Sequence, residues 1–356
     1  MLDWLLYCAQ RYKKRANKQG LFTASAATFA SLCAKVQIIV ICQLLIADCF
    51  ANFAQFFSSP YHIGMSSSRR SSVGYHILAL VTIAVWGTTF VSTKVLLTNG
   101  LTPPEIMFYR FIIAYALTWF FARKVWADTW VDELLLAVAG FTGGTLYFLA
   151  ENTAIDYSIT SNVALVVCVT PVLTALLTSL CYKERITGRL VLGSVVALLG
   201  VGFVVLNGTV LQIHPLGDAL ALVAALAWAV YSVVIRRFDR RYTTWFVTRK
   251  VFFYGIVTMI PFIASGMGGG LHLDKLTSPV VAGNVLFLSV VASMLCFYSW
   301  NLVLEKIGTI RASNYMYTQP LVSLACSVAV LGEPITYIAL LGTVFILIGV
   351  YIAGHR

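Results

Sequence analysis

The chain has 356 residues, of which 59% are hydrophobic and only 11% are charged, and its mean hydropathy is +0.85. A soluble domain carries about 25% charged residues, so this composition excludes an ordinary water-soluble fold and predicts an all-α protein of the lipid bilayer. The net charge of +11 does not indicate a nucleic-acid partner, because the basic residues fall in short segments between apolar runs, where they determine membrane topology.

Residues 1–72 form an N-terminal extension that differs from the rest of the chain. It contains a basic cluster from Arg11 to Lys18 and one apolar run, about 36–57, which Asp48 and three amide side chains interrupt. A central aspartate adds roughly 2.5–3.5 kcal/mol to the cost of insertion, which argues against a spanning helix. We expect Met65, which opens a segment rich in Ser and Arg, to be the initiator. The alternative is an interfacial anchor or a targeting segment.

Ten apolar runs of about 18–24 residues follow, each long enough to cross ~30 Å of hydrocarbon. They lie near residues 77–97, 105–122, 133–153, 159–181, 189–206, 217–235, 246–265, 280–303, 312–331 and 335–353. From Met65 onward, sixteen Lys and Arg residues fall on one side of this layout and three, Lys94, Arg110 and Lys275, on the other. The asymmetry predicts that both termini are cytoplasmic, which requires an even number of spans.

The two halves of the chain are similar to each other. At an offset of 149 residues, Pro171, Glu184, Gly193 and Gly200 align with Pro320, Glu333, Gly342 and Gly349, and at 142 residues Trp86 aligns with Trp228. The pattern divides the chain into a first repeat, 73–208, and a second, 209–356, of five helices each. Because five is odd, the second repeat enters the membrane from the opposite side, and such inverted repeats are typical of secondary transporters. A duplicated membrane protein without transport activity is the alternative.

Four stretches add a family resemblance. They are Trp86-Gly-Thr-Thr-Phe-Val-Ser-Thr-Lys94, Pro104-Glu105-x4-Arg110-Phe111, Thr170-Pro171 followed by Glu184-Arg185-Ile186-Thr187, and Gln319-Pro320 followed by Gly332-Glu333-Pro334. Their order and spacing resemble the EamA domains of the drug/metabolite transporter superfamily over nearly all of 75–354. The resemblance implies ten helices and a multi-pass carrier of the bacterial inner membrane, often an exporter of metabolites, amino acids or toxic compounds.

Three charged residues lie inside predicted spans, where charge is costly and indicates a functional role by default. Lys94 lies near the outer end of the first helix, Arg110 about five residues into the second, and Glu151 near the outer end of the third. At this similar depth they could pair with one another, bind an anionic or zwitterionic substrate or, at Glu151, exchange a proton. A structural ion pair, or snorkelling of Lys94 and Arg110 to the interface, is the alternative.

Aromatic and amide side chains form a second set of candidates for substrate contact or coupling. Rings could stack on a flat or cationic substrate, and amides are costly in hydrocarbon unless they face a partner, water or a cavity. The candidates are Tyr147, Trp228, Tyr231, Trp300, Asn301, Tyr315 and Gln319. Asn301, next to Trp300, is the strongest of them. The alternative for any single Trp or Tyr is a place in the interfacial aromatic belt.

Two pairs of equivalent residues mark helix ends. Pro171 and Pro320 are hinge candidates, because proline interrupts the hydrogen bonds of a helix and can kink it. Glu184 and Glu333 precede Ile-Thr at the start of the next helix, so we expect each carboxylate to cap that helix.

Together these features predict a secondary transporter, with export favoured, that moves small metabolites, amino acids or drug-like compounds by alternating access. Proton coupling through Glu151 is a hypothesis. The alternatives are an uncoupled facilitator or exchanger and, further off, a non-transporting scaffold or membrane enzyme. We find no Walker motif and no metal-ligand spacing, so we expect no enzyme activity, no cofactor and no metal. The expected partners are a small-molecule substrate and the bilayer. The oligomeric state stays open, a homodimer being one option.

Overall fold

The computed structural model describes residues 68–122, 124–158, 160–205, 215–239, 241–265, 271–326 and 336–354. Within these ranges all regular structure is helical, and no strand occurs. The expectations for residues 1–64, for Met65 as initiator and for Glu333 as a cap lie outside the described residues.

The helices follow one another closely along the chain. In order they are α1 (Ser68–Thr98), α2 (Pro103–Thr118), α3 (Trp130–Gly140), α4 (Tyr147–Tyr157), α5 (Thr160–Val167), α6 (Thr170–Tyr182), α7 (Gly188–Val205), α8 (Pro215–Ile235), α9 (Thr244–Ala264), α10 (Pro279–Leu286), α11 (Cys296–Ile307), α12 (Thr309–Asn314), α13 (Gln319–Cys326) and α14 (Tyr337–Gly354). Two π-helical segments, Phe141–Leu146 and Phe287–Leu295, connect α3 to α4 and α10 to α11. Short 3-10 turns cover Arg236–Phe238, Leu273–Thr277 and Tyr315–Thr318.

Within the described part of the chain, six helical segments are long and apolar enough to cross a bilayer. They are Val73–Thr98, Trp130–Tyr157, Val163–Tyr182, Pro215–Phe238, Thr244–Ala264 and Pro279–Ile307. Four other segments coincide with the remaining predicted ranges but are shorter or interrupted. They are α2, α7, α14, and α12 with α13. Large apolar side chains such as Leu180 lie exposed on the outside of the bundle, as lipid permits. The protein is therefore an α-helical, multi-pass membrane protein.

Both hinge candidates follow a break in a helix. Pro171 lies in the first turn of α6, after an interruption between Val167 and Thr170. Pro320 lies in the first turn of α13, directly after the 3-10 turn at Tyr315–Thr318. Proline is tolerated in a first turn because the N–H that it lacks has no partner inside the helix there. The breaks are present at both prolines, and hinge motion at them stays a prediction.

Helix starts recur along the chain with the offset found in the sequence. Three starts in the second half lie 149 residues after a start in the first half: Trp130 and Pro279, Thr170 and Gln319, and Gly188 and Tyr337. Each half also places a π-helical segment within the helix that begins at Trp130 or Pro279. Regular structure therefore repeats with the same period as the residues.

Four glycines bring α7 and α14 into close backbone contact. A Cβ added at Gly193 would lie 2.6 Å from the carbonyl oxygen of Gly349, and one at Gly200 would lie 2.6 Å from that of Gly342. Because the later glycine of α7 meets the earlier glycine of α14, the two helices cross antiparallel. The two contacts are equivalent under the 149-residue offset, which converts the contact of Gly193 with Gly349 into that of Gly342 with Gly200.

Two basic residues depart from the general expectation that such residues fall between apolar runs. Arg249 and Lys250 lie inside α9, within the predicted span 246–265, and are buried, at 2% and 3% exposure. They remain stable there because Arg249 donates to the carbonyl oxygen of Ala122 at 2.5 Å, whereas Lys250 pairs with the carboxylate of Glu133.

Glu184 does not cap the helix that follows it. Its carboxylate pairs with the guanidinium of Arg236 at 2.6 Å, which connects the end of α6 to the end of α8. The hydroxyl of Thr187 accepts the backbone N–H of Leu190 at 3.2 Å and so supplies the cap of α7. A nearby guanidinium competes for a carboxylate more strongly than exposed backbone amides do, because it offers a full opposite charge.

Candidate functional site

A small, largely enclosed cavity lies in the middle of the bundle. Its volume is about 20 Å³, which suits a water molecule and is far too small for a metabolite. Helices α1, α2, α4 and α8 surround it together with the 3-10 turn before α13. The lining residues are Trp86, Thr89, Arg110, Tyr147, Phe148, Glu151, Trp228, Met316 and Gln319.

Arg110 contributes a buried guanidinium to this cavity, with 2% of the residue exposed. Its Nε donates to the hydroxyl of Ser293 at 2.9 Å, and its Cζ lies 4.1 Å from the centre of the Phe148 ring. The ring and the hydroxyl hold the guanidinium plane in one orientation. The charge is therefore positioned by neutral groups and keeps further N–H donors for a ligand.

Glu151 contributes the cavity's carboxyl group and is 7% exposed. Its Oε1 accepts the hydroxyl of Tyr147, one helical turn away, at 2.6 Å. Among the described residues, the ion pairs within 4.0 Å include neither Glu151 nor Arg110. The two opposite charges thus share the cavity without neutralising each other directly, so each can bind a charged group of a substrate.

Lys94, the third charged candidate, does not line the cavity. Its ammonium donates to the carbonyl oxygen of Ile155, near the end of α4, at 3.2 Å. A cation at the carboxyl end of a helix is favoured by the unpaired carbonyls there. The placement of Lys94 therefore matches helix packing better than substrate contact.

Trp86 and Trp228, the residues aligned by the 142-residue offset, contact each other across the cavity. Their ring centroids are 5.1 Å apart and the rings are nearly perpendicular, at 89°. The indole N–H of Trp86 donates to the carbonyl oxygen of Ala292 at 2.9 Å, whereas that of Trp228 finds no partner among the residues that the structure describes. The ring of Tyr147 lies 4.8 Å from that of Trp228. The cavity wall is thus aromatic, and the indole N–H of Trp228 is a buried donor in addition to those of Arg110.

Tyr231 and Asn301 lie beside the cavity and are not part of its lining. The hydroxyl of Tyr231 donates to Oδ1 of Asn301 at 2.6 Å, and Nδ2 of Asn301 donates to the hydroxyl of Thr248 at 3.0 Å. Since these polar groups are already paired inside the protein, Asn301 supports the packing of three helices. Its ranking as the strongest individual candidate is not supported by this position.

The remaining aromatic and amide candidates differ in their surroundings. Trp300 is fully buried, with its ring 5.4 Å from that of Trp86. The hydroxyl of Tyr315 pairs with Nδ1 of His76 at 2.7 Å, away from the cavity, whereas Gln319 lines it. The cavity therefore brings together Arg110, Glu151 and Gln319 from the predicted set, with Tyr147 and Trp228 as aromatic neighbours.

Sequence reasoning missed four residues of the site. Thr89, Phe148 and Met316 line the cavity, and Ser293 positions Arg110 from the opposite half of the chain. Ser293 lies in the π-helical segment of residues 287–295, where the 3.6-residue period fails to identify the buried face. A polar residue within an apolar run was the one available signal for it.

Two clusters of polar contacts connect the halves at the ends of the bundle. At one end the buried carboxylate of Glu105 accepts both the backbone N–H of His272, at 2.6 Å, and Nδ1 of the same residue, at 2.9 Å. At the other end Asp132 accepts the hydroxyl of Tyr242 at 3.0 Å and the guanidinium of Arg241 at 3.1 Å. Contacts between the halves are thus present at both ends of the bundle.

A model of the EamA-like transporter family matches residues 74–206 and again residues 215–354. The chain belongs to the EamA-like transporter family. This EamA-like protein is 27% identical over 286 residues to an "Uncharacterized transporter" of Archaeoglobus fulgidus, covering 79% of this chain and 98% of the relative. It is 28% identical, also over 286 residues, to a "Probable amino-acid metabolite efflux pump" of Escherichia coli, covering 78% and 93%.

A solved crystal structure has the same fold as this EamA-like protein. The TM-score is 0.64 at 20% sequence identity, and the alignment covers 80% of this chain and 98% of the other. The family and the names of these relatives indicate a membrane transporter with a small-molecule substrate and no enzyme activity.

Proposed function

We propose that this EamA-like transporter is a secondary carrier of the bacterial inner membrane that exports small metabolites, amino acids or drug-like compounds by alternating access. The observation that carries the proposal is a cavity between the two halves that contains one buried guanidinium and one buried carboxyl group. The relative in Escherichia coli named as an amino-acid metabolite efflux pump supports the substrate range and the direction.

The proposed architecture has ten spans in two inverted repeats, residues 73–208 and 209–356, with both termini in the cytoplasm. Support comes from the two family matches, the common 149-residue offset of the helix starts and the antiparallel glycine crossing. The contact between Trp86 and Trp228 adds a further argument, because equivalent residues can touch only near a two-fold axis. An axis in the membrane plane lets the halves exchange conformations and open the opposite face.

Glu151 is the proposed coupling residue. It is the cavity's carboxyl group, and the hydroxyl of Tyr147 donates a hydrogen bond to its Oε1. This hydrogen bond stabilises the carboxylate that remains when the proton leaves. Purified protein in sealed vesicles tests this with a substrate found by comparing the metabolites that cells release with and without the protein. The variant Glu151→Gln should keep binding but lose the response of transport to a pH gradient.

The matched control is Asp156→Asn, which removes an exposed carboxylate from the same helix, five residues further on. It should leave the pH response of transport unchanged. A full gradient response in Glu151→Gln would refute the coupling role. Counterflow of substrate without any gradient response in the unmodified protein would instead indicate the alternative, an uncoupled facilitator or exchanger.

A further inference from the structure

One face of α6 carries hydroxyl groups into the interior of the bundle. Thr170, Thr174 and Thr178 follow one another at four-residue spacing, and all three are fully buried. The opposite face of the same helix is exposed, with Leu180 at 77%. Because α6 packs against α8 and α12, the threonine face is the one turned toward those helices.

Two of these hydroxyls have no hydrogen-bond partner among the described residues. Thr170 donates to the carbonyl oxygen of Val167 at 2.6 Å, but Oγ1 of Thr174 and Oγ1 of Thr178 find no partner in the described part of the chain. A threonine inside a helix usually satisfies its hydroxyl on the carbonyl of the preceding turn, as Thr82 does with Leu78 at 2.8 Å. A buried hydroxyl without a partner destabilises the folded protein, so another factor must favour these two threonines here.

The neighbouring helix α12 presents further unsatisfied polar atoms. Oγ1 of Thr309 and Nδ2 of Asn314 are buried and lack partners among the residues described. On α8 the hydroxyl of Ser232, also buried, lies one turn beyond Trp228, a residue of the cavity lining. Met316 continues α12 into the same lining. A polar strip thus extends from the cavity toward the end of the bundle where α6 and α8 terminate.

That end is closed by contacts between α6 and α8. Besides the ion pair of Glu184 with Arg236, the hydroxyl of Tyr182 donates to the carbonyl oxygen of Val233 at 3.2 Å. The guanidinium of Arg236 also lies 4.4 Å from the centre of the Tyr182 ring. These contacts join the first repeat to the second, and the proposed topology assigns them to the cytoplasmic face.

We propose that the strip is the cytoplasmic branch of the transport path, closed here, and that Glu184, Arg236 and Tyr182 form its latch. The inference rests on the proposed function and adds the route to it. Unpaired hydroxyls are explained if α6 separates from α8 and α12 in another conformation and water solvates them. A path lined by hydroxyl and amide groups suits polar solutes, which need replacements for the water molecules they give up.

Site-resolved thiol labelling tests the route without knowledge of the substrate. Full-length Thr174→Cys and Thr178→Cys are treated in membrane vesicles with a charged, membrane-impermeant thiol reagent, and mass spectrometry of peptides identifies the labelled cysteine. Both should react from the cytoplasmic face and be protected from the outer face. The control Leu180→Cys lies on the lipid side of the same helix and should not react with the charged reagent.

The latch is tested in the same assay. Glu184→Gln should raise the labelling rate at Thr174→Cys about two- to fivefold, the change expected from losing a partly exposed ion pair. The control Asp128→Asn removes an ion pair with Lys124 that stays within one loop, so the rate should not change. Equal rates with and without Glu184→Gln would overturn the latch.

Absence of labelling at both threonine positions, with labelling of Thr89→Cys in the cavity lining, would place the cytoplasmic branch elsewhere and overturn the route. Should either cysteine variant fail to fold, Ser232→Cys on the facing helix provides the same readout. The outcome is separable from that of the proposed function. Labelling without solute flux would refute transport and leave the water-filled branch standing, whereas flux without labelling would refute only the branch.

Discussion

Replacing Gly200 by alanine should destabilise the protein, because the added methyl group collides with backbone atoms of α14. The new Cβ would lie 2.6 Å from the carbonyl oxygen of Gly342 and 2.6 Å from the amide nitrogen of Ile346. Ordinary contacts of this kind begin near 3.4 Å, so the helices must separate by roughly 0.8 Å. Neither contact atom belongs to a flexible side chain, so the strain cannot be relieved by a rotamer change.

The expected loss is about 1–3 kcal/mol, the usual cost of overpacking an interior, increased toward the upper end by lost dispersion along the crossing. Gly202 offers a matched control on the same helix, since a Cβ there would meet nothing within 4 Å. Gly202→Ala should be neutral or gain up to about 1 kcal/mol from reduced backbone freedom in the unfolded chain. The two variants are therefore expected to differ by roughly 1–4 kcal/mol.

The assay is unfolding in mild detergent, followed as the fraction that stays monodisperse after heating to a series of temperatures. Gly342→Ala should lower the stability of the protein by a similar amount. The double variant should lose less stability than the two single variants together, because both substitutions separate the same pair of helices. If Gly200→Ala unfolds at the same temperature as Gly202→Ala, close packing at this crossing is not what stabilises it, and the reasoning is refuted.

Three further outcomes can be measured. Asp132→Asn should cost about 1–2 kcal/mol in the same heating assay, because a charged acceptor is lost while Arg241 stays half-exposed to solvent; unchanged stability would contradict it. Glu105→Ala should cost about 2–3 kcal/mol of stability, more than His272→Ala, because the carboxylate accepts two backbone N–H groups as well as side-chain donors. Equal losses of stability in the two variants would contradict this. Arg110→Lys should leave the protein folded but reduce flux severalfold, because an ammonium does not reproduce the planar guanidinium; wild-type flux would rule out this role.

Much of the architecture could be predicted because the bilayer imposes simple rules. A span must be long, apolar and internally hydrogen-bonded, so composition and run length reveal an α-helical membrane protein. The repeat offset went further, since it paired Gly193 with Gly342 and Gly200 with Gly349 before any contact was known. Those four glycines then proved to pack against one another.

The site was less predictable, because its contacts join residues far apart in the chain. Arg110 takes its partner from Ser293, 183 residues away, and no local pattern encodes that pairing. The pairing of Asn301 with Tyr231 and Thr248 was hidden for the related reason that a polar residue in a span can be satisfied by neighbours that the sequence does not reveal. Lys250 lies buried inside the predicted span 246–265, and the sequence alone does not reveal how its charge is satisfied, because its carboxylate partner, Glu133, lies on a different helix.

The contact between Trp86 and Trp228 has a consequence for how the halves could move. When two equivalent halves exchange conformations, a contact between one residue and its own counterpart is converted into itself. Such a contact can persist through the whole cycle and act as a pivot. In the proposed inverted repeat, a pair such as Glu184 with Arg236 would by contrast have a distinct counterpart at the opposite face, and it would break as that face closes. In the proposed cycle, the tryptophan pair thus marks the part of the protein that stays in place while the contacts at the two faces alternate.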